Sequence, residues 1–203
     1  TEARKLYTCA RGLNHTALIA EIGSFEGKST ICLAQGLRDG SGGKIYAIDP
    51  HQGHDGWTRS SSPTYTTFLK NTQPYKKSIV PVRMFSADAA KKLAIHPDCV
   101  FIDGDHAYDA VLTDYESWGS KLKRGGIIAF HDSLEKDVWR VISQKILRST
   151  EWSDFQLVNS LFIAQKKERE STGGSAIRLY RGFLLLKRVG WKIKCFFQRK
   201  HYD

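Results

Sequence analysis

The sequence predicts an α/β protein in which a doubly wound, mostly parallel sheet of seven strands ends in an antiparallel hairpin strand. The first observation is that short apolar segments alternate with helical segments, as in parallel sheets covered by helices on both faces. The second is that the apolar segments 100–102 and 127–130 end abruptly in acidic and histidine residues. The third is that the apolar segments 155–158 and 161–164 are separated by an Asn-Ser pair, as in a β-hairpin.

The elements follow one another in a regular order along the chain. Residues 1–13 mix charged and apolar positions and predict a helix that covers the sheet. Residues 51–63 show no periodicity and predict a mobile loop that is long for an α/β connection. The other helices are predicted at 29–37, 64–72, 108–122 and 134–148 and from residue 86 onward. The strands are predicted at 17–22, 44–48, 79–85, 99–102, 127–130, 155–158 and 161–164.

Length and composition predict one domain with an appendage. With 203 residues, 41% of them hydrophobic, the chain can form one substantial core, which we assign to residues 1–167, followed by a tail at 168–203. No apolar stretch approaches the roughly twenty residues that cross a bilayer. The four cysteines form no CxxC pair, which argues against a zinc knuckle or disulfide framework and indicates a reducing, cytoplasmic compartment. The first residue is Thr1 and not Met, which is consistent with a processed or trimmed start.

The basic character of the chain is concentrated in the tail. Residues 171–203 hold eight Lys or Arg and one acid, so they carry +7 of the total net charge of +10. A helix over 185–197 would separate an apolar, aromatic face from a basic one, which suits peripheral binding to an anionic membrane surface. Packing on the protein's own sheet, or on a sister subunit in a homo-oligomer, is the equal alternative, and Gly190 weakens the helix. We find no nucleic-acid recognition module.

The loop after the first predicted strand has the features of a nucleoside-binding turn. Glu21, Gly23 and Gly27 stand where the strand enters a helix, and glycine lets the backbone approach a ligand closely. Asp49 ends the next strand about twenty residues later, where a carboxylate can bind ribose hydroxyls. The glycine spacing departs from GxGxxG, which argues against a dinucleotide site. The alternative is a turn that needs glycine only for its shape.

Taken together and in this order, the motifs resemble those of class I S-adenosylmethionine-dependent methyltransferases. A narrower set resembles a bacterial branch related to macrocin-type sugar O-methyltransferases and cephalosporin-hydroxylase-like proteins. The resemblance covers about residues 10–166 and implies a Rossmann-like fold. The broader motifs are EIGSFEG at 21–27, Asp49, SAD at 86–88 and LKRGG at 122–126, and the narrower ones are FIDGDHAY at 101–108 and AFHDS at 129–133.

By this resemblance, the carboxyl ends of the first four strands would bind the cofactor S-adenosyl-L-methionine. The loop after the first strand would line its methionine part, Asp49 would hold the ribose, and the segment at 86–88 would border the adenine. The implied cofactor-binding residues are Glu21, Gly23, Ser24, Gly27, Asp49, Ser86, Ala87, Asp88 and Asp103.

The resemblance also implies a divalent metal ion, held by an acid that ends strand four and an adjacent pair that ends strand five. The corresponding residues are Asp103, His131 and Asp132. The first residue of the pair is usually acidic in the related enzymes, so His131 is a departure. Because imidazole is a poor ligand for Mg²⁺, this donor set would suit Mn²⁺, Fe²⁺ or Zn²⁺ better.

His106 and Asp103 are the candidate catalytic residues. His106 lies three residues after Asp103, where related enzymes carry a catalytic base, and imidazole accepts a hydroxyl proton near neutral pH. The alternative for His106 is a cap on the helix that follows. Asp105 would orient His106 or cap that helix.

The sequence therefore predicts an enzyme that moves a methyl group from S-adenosylmethionine to an oxygen, with a metal ion as an aid. The acceptor would be a hydroxyl of a sugar or of another small polar molecule. His51, His54 and Trp57 would form a lid over it or lie in a solvated loop. Two alternatives remain: a cofactor-binding scaffold without catalysis, and an NAD-dependent oxidoreductase, which the glycine spacing disfavours.

Overall fold

The computed structural model of the chain describes residues 1–14, 16–40, 42–52 and 64–168. These residues form a seven-stranded sheet in the order β3-β2-β1-β4-β5-β7-β6. β1 to β5 are mutually parallel, whereas β7 runs antiparallel to both of its neighbours, β5 and β6. The predicted fold class, including the antiparallel hairpin strand, is confirmed. The strands are β1 Ala17–Ile22, β2 Gly43–Ile48, β3 Ile79–Val82, β4 Cys99–Ile102, β5 Ile127–Phe130, β6 Trp152–Val158 and β7 Leu161–Lys166.

Helices lie on both faces of the sheet. In α5 and α6 the α-helix passes into a wider π-helical turn, at Tyr115–Gly119 and Ile142–Ile146 respectively, so the predicted helices 108–122 and 134–148 are each two consecutive segments. A short 3₁₀ turn at Gln73–Tyr75 follows α3. The helices are α1 Glu2–Arg11, α2 Lys28–Asp39, α3 Tyr65–Thr72, α4 Ser86–Lys92, α5 Tyr108–Asp114 and α6 Lys136–Val141.

The central strands are buried on both faces, which explains their continuous apolar sequences. All four residues of β4 are buried, and they alternate between two hydrophobic clusters on opposite sides of the sheet. Val100 and Ile102 pack in one cluster, and Cys99 and Phe101 in the other. A strand so enclosed can present polar groups only beyond its end, which is where Asp103 lies.

α1 is joined closely to α2. A Cβ atom at Gly36 would come within 2.4 Å of the Tyr7 carbonyl oxygen, so the two helices approach at a distance that only glycine permits at this position. The Tyr7 hydroxyl also donates a hydrogen bond to Oδ2 of Asp39 at 3.2 Å. These contacts hold the middle of α1 against α2.

Two predicted strand boundaries differ from the structure by three residues each. β3 ends at Val82 and not at residue 85, because the chain turns there: the Met84 amide donates to the Val82 carbonyl at 2.9 Å. β6 begins at Trp152, three residues before the predicted start. A register shift between Ser153 and Gln156 interrupts its alternation, so its first residues lack the period of two that identifies a strand.

Some predictions fall outside the described residues. They concern most of the loop, at 53–63, and nearly all of the tail, from residue 169 onward. Cys9, Cys32 and Cys99 are free thiols, and Cys195 belongs to the tail. None of the helices in the described ranges combines the length and apolar character needed to cross a membrane.

Candidate functional site

The carboxyl ends of β1, β2, β4 and β5 meet at one edge of the sheet. Gly23 leaves β1 with φ +84°, and its amide donates to the Ile48 carbonyl at 2.9 Å. A Cβ atom at Gly23 would come within 2.1 Å of the Asp103 carbonyl oxygen, so no other residue fits there. Gly27, with φ +89°, begins α2. The loop between β1 and α2 is therefore folded directly against the end of β4.

The end of β1 and the loop that follows it contain buried polar atoms that lack partners. Glu21 is fully buried, and its Oε2 accepts a hydrogen bond from the Thr30 hydroxyl at 2.6 Å. Its Oε1 and the hydroxyl of Ser24 have no hydrogen-bond partner within the described residues. Burial raises the pKa of Glu21 to about 7. Buried polar atoms are normally paired, so these two mark a place that a polar ligand can complete.

Asp49 links the end of β2 to the same loop. Its Oδ2 accepts a hydrogen bond from the Phe25 amide at 2.8 Å, and its Oδ1 accepts one from the His51 amide at 2.7 Å. A carboxylate has about four acceptor sites, so two remain for the hydroxyls of a ligand.

His51 differs from the expectation of an exposed lid. Its side chain is buried, with 1% of its surface exposed, and its Nδ1 lies 2.9 Å from the Thr64 hydroxyl. The rings of Tyr65 and Phe68 flank it at centroid distances of 5.1 and 5.2 Å. His51 thus anchors the end of β2, whereas the lid candidates His54 and Trp57 lie outside the described residues.

The segment expected to border the adenine begins α4. The Ser86 hydroxyl accepts a hydrogen bond from Nε1 of Trp118 at 2.9 Å and also contacts the buried carboxyl of Asp114. Burial raises the pKa of Asp114 to about 6. Asp88 is 67% exposed and faces Lys91. Sequence reasoning missed Asp114, although an acid three residues after Val111 and four before Trp118 stands on the apolar face of its helix, which is a detectable signal.

Asp103, His131 and Asp132 come together as the two strand ends predict. Nδ1 of His131 lies 3.1 Å from Oδ1 of Asp103 and 3.1 Å from Oδ2 of Asp132. This nitrogen is buried between the two carboxylate oxygens. Three donor atoms thus lie within 4.8 Å of one another, an arrangement that could hold a metal ion.

The electrostatics of this cluster favour a cation. The two neighbouring carboxylates raise the pKa of His131 to about 11. The same contact lowers the pKa of Asp132, whereas burial raises that of Asp103. Without another cation, a proton on His131 supplies the positive charge between the two acids. A divalent ion satisfies the same demand, so imidazole and carboxylate donors here fit a metal.

His106 lies beside this cluster, at the start of α5. Its Nδ1 lies 3.1 Å from Oε2 of Glu135, and its Nε2 lies 3.7 Å from Oδ2 of Asp132. Asp105 forms the turn that precedes α5, because its Oδ1 accepts a hydrogen bond from the Ala107 amide at 2.9 Å. His106 is therefore held between two carboxylates, in an orientation that suits a base.

Two further acids of the site have no local sequence signal. Glu135 follows Asp132 by three residues and reads as an ordinary acid at the start of a helix. Glu2 is 129 residues from His131 in sequence, yet its Oε2 lies 3.4 Å from Nε2 of His131. Only the folded chain reveals these contacts.

Comparison with known proteins identifies relatives of this architecture. Residues 20–133 match a family model described as a methyltransferase domain. The protein y4gI of Sinorhizobium fredii is 26% identical over 128 residues, which are 60% of this chain but only 14% of that protein. This chain therefore spans a small part of that relative.

Solved structures share the fold. An O-methyltransferase from Bacillus cereus in complex with S-adenosylhomocysteine has a TM-score of 0.62 at 18% identity, covering 82% of this chain and 80% of that one. TomG, an O-methyltransferase from Streptomyces achromogenes in complex with S-adenosylmethionine, has a TM-score of 0.61 at 16% identity, covering 82% and 79%. Cofactor-bound Rv0187 from MTB has a TM-score of 0.64 at 18% identity, covering 83% and 80%. At these identities the likeness shows the fold alone.

Proposed function

This chain belongs to the methyltransferase domain family, whose model matches more than half of it, and we propose that it transfers a methyl group from S-adenosylmethionine to a hydroxyl oxygen of a small polar acceptor such as a sugar. The observation that carries the proposal is the direct packing of Gly23, in the loop expected to bind the cofactor, on the backbone of Asp103, in the cluster expected to bind the acceptor. Donor and acceptor would meet at one edge of the sheet. The cofactors bound by the Bacillus and Streptomyces enzymes support this choice.

On the cofactor side, the unpaired polar atoms at the end of β1 and in the following loop would bind the methionine part. Glu21 Oε1 and the Ser24 hydroxyl are available for this, and Asp49 keeps free acceptor sites for the ribose. When bound, S-adenosylmethionine supplies an electrophilic methyl group. The task of these residues is to hold the methyl carbon in line with the acceptor oxygen, which removes much of the entropic barrier.

On the acceptor side, Asp103, His131 and Asp132 would hold a divalent ion, which lowers the pKa of a bound hydroxyl. Nε2 of His106 would take the hydroxyl proton. In the tautomer of His106 that donates Nδ1–H to Glu135, Nε2 would carry the lone pair that accepts this proton. The donors are two carboxylates and one imidazole, so Mn²⁺, Fe²⁺ or Zn²⁺ suits them better than Mg²⁺ does.

A ligand-shift melting experiment tests the cofactor assignment. We expect S-adenosylhomocysteine to raise the melting temperature of the full chain, because a ligand that binds only the folded state stabilises it. NAD should leave it unchanged. A shift with NAD and none with S-adenosylhomocysteine would identify a nicotinamide-dependent enzyme.

Turnover separates an enzyme from a scaffold. The chain would be incubated with methyl-labelled S-adenosylmethionine, Mn²⁺ and a panel of sugars and other small hydroxyl compounds, and labelled products would be counted. We expect transfer to at least one hydroxyl acceptor. Cofactor binding without transfer to any acceptor would favour the scaffold.

A further inference from the structure

We propose that Glu2, in the first turn of α1, is a positioning residue that orients His131 as a metal ligand. The inference rests on the proposed function, in that it takes Asp103, His131 and Asp132 as the metal-binding set. The match to the methyltransferase family begins at residue 20, so Glu2 lies outside it. The N-terminal helix would then complete the site and not merely cover the sheet.

The Glu2 carboxylate is fixed by both of its oxygens. Oε1 accepts hydrogen bonds from the amide and the hydroxyl of Ser160, each at 2.8 Å, in the turn between β6 and β7. Oε2 lies 3.4 Å from Nε2 of His131. Both side chains are about three-quarters buried, so this pair is not a flexible surface contact. The turn thus holds Glu2 in position, and Glu2 faces one nitrogen of the imidazole.

This contact determines which nitrogen of His131 is free. A neutral imidazole carries one N–H, and a carboxylate beside Nε2 favours the tautomer with its proton on that nitrogen. Nδ1 then presents a lone pair toward Asp103 and Asp132, each 3.1 Å away. Nδ1 is buried without a hydrogen-bond partner in the described residues, as expected of an atom directed at an ion.

Glu2 also adds a negative charge next to the proposed metal site. Where a carboxylate binds a metal, it brings a negative charge, but His131 in its neutral form brings none. Asp103 and Asp132 alone would then balance a divalent ion, and Glu2 adds a third negative charge one imidazole away. A carboxylate–histidine–metal relay of this kind raises the basicity of the ligand and fixes its ring.

Metal titration of the full chain tests the role of Glu2. Mn²⁺ affinity would be measured by calorimetry without cofactor, and we expect Glu2→Gln to weaken it about 10-fold to 100-fold, as loss of such partners does. Tyr7→Phe is the matched control, because it removes a hydrogen bond that anchors α1 but does not touch His131. Melting curves of the metal-free variants would verify that each is folded. Equal weakening by Tyr7→Phe would mean that the attachment of α1 matters and Glu2 itself does not.

A second background separates positioning from simple charge. In His131→Asp there is no imidazole to orient, so adding Glu2→Gln should weaken Mn²⁺ binding by much less than the roughly 10-fold or greater loss expected when the imidazole is present. The same loss in both backgrounds would overturn the proposal, as would wild-type protein that binds no Mn²⁺. The change in melting temperature with S-adenosylhomocysteine, measured on the same samples, tests the methyltransferase assignment independently of the role of Glu2. If they persist while Glu2→Gln leaves Mn²⁺ affinity intact, only the role of Glu2 fails.

Discussion

Glu21 is a fully buried carboxyl group that burial makes hard to ionise. Its pKa is raised to about 7 from an ordinary value of 4.5. Below pH 4.5 the carboxyl group is neutral in both the folded and the unfolded chain, so its titration does not change the free energy of unfolding. Between pH 4.5 and about pH 7, Glu21 is ionised mainly in the unfolded chain, so the free energy of unfolding falls as pH rises. Above about pH 7 this loss is constant.

We therefore expect Glu21→Gln to be more stable than the wild type at pH 8, by up to about 3 kcal/mol from a shift of this size. The difference should shrink as the pH approaches 5. Urea unfolding at both values measures it, and Glu26→Gln, in the same loop but partly exposed, serves as the control. A Glu21→Gln variant that is equally or less stable at pH 8 would show that the carboxylate is paired when ionised.

Asp49 accepts hydrogen bonds from two backbone amides, and we propose that it also binds the ribose of the cofactor. Asp49→Ala removes the acceptors for the Phe25 and His51 amides and, in the proposed site, those for the ribose, so we expect it to weaken S-adenosylhomocysteine binding by about 1–3 kcal/mol. Asp49→Asn keeps one acceptor oxygen and should lose less. Calorimetry of the two variants checks this order, and unchanged affinity in Asp49→Ala would remove Asp49 from the cofactor site.

The donor set at Asp103, His131 and Asp132 predicts a metal preference. Exhaustive chelation should abolish methyl transfer, and Mn²⁺ should restore it at least as well as Mg²⁺, because imidazole binds Mn²⁺ better. Elemental analysis of the chelated sample must accompany the assay. Full activity with no metal detected would mean that the cluster serves only the fold or the cofactor.

At the scale of elements, the packing of α1 on α2 makes Gly36 an exception to the rule that alanine is more favourable than glycine within a helix. Glycine in the middle of a helix is usually improved by alanine, by about 1 kcal/mol. At Gly36 the added methyl group would come within 2.4 Å of the Tyr7 carbonyl and 2.8 Å of the Ala10 side chain. We expect Gly36→Ala to destabilise the protein by roughly 1–3 kcal/mol, as overpacking does. Denaturant unfolding decides the sign, and a gain in stability would show that the helices can separate without loss.

The elements that sequence reasoning located best are those with a continuous or periodic apolar pattern. β4 agrees with its predicted bounds at both ends, and its burial on both faces is why its pattern was clear. The first residues of β6 were missed because the bulge near Asp154, whose φ is +51°, breaks the alternation. Where a residue's surroundings come from its own segment, sequence is enough to place it.

The same distinction applies to the site. The sequence was enough to predict that Asp103, His131 and Asp132 lie close together, because parallel strands end at the same edge of a sheet. Glu2 and Glu135 could not, because their partners depend on how a helix is seated against that edge. No pattern within either segment contains that information.

At the scale of the whole molecule, the tail remains a prediction from charge and amphipathicity. We expect the full chain to sediment with vesicles that contain anionic lipid, since each basic residue near the surface contributes about 1 kcal/mol. Binding should weaken as salt rises and should be much weaker with neutral vesicles. Sedimentation at two salt concentrations measures this.

A chain shortened to end near Lys167 provides the control. It should lose vesicle binding but keep its melting shift with S-adenosylhomocysteine, because the proposed cofactor residues all precede that point. If the full chain ignores anionic lipid and the short chain melts earlier, the tail packs on the protein or on a second copy.

The bond between Glu2 and Ser160 joins positions that are 158 residues apart. Contacts of such range close late in folding, because the entropy of the intervening chain opposes them until the rest of the structure is formed. The β1–α2 loop is local and can form early. Pulsed hydrogen exchange at the Ser160 amide, which donates to Glu2, would time the last step, and early protection would contradict this order. On the proposed assignments, a newly made chain would thus form the β1–α2 loop early and complete the orientation of its metal ligand last.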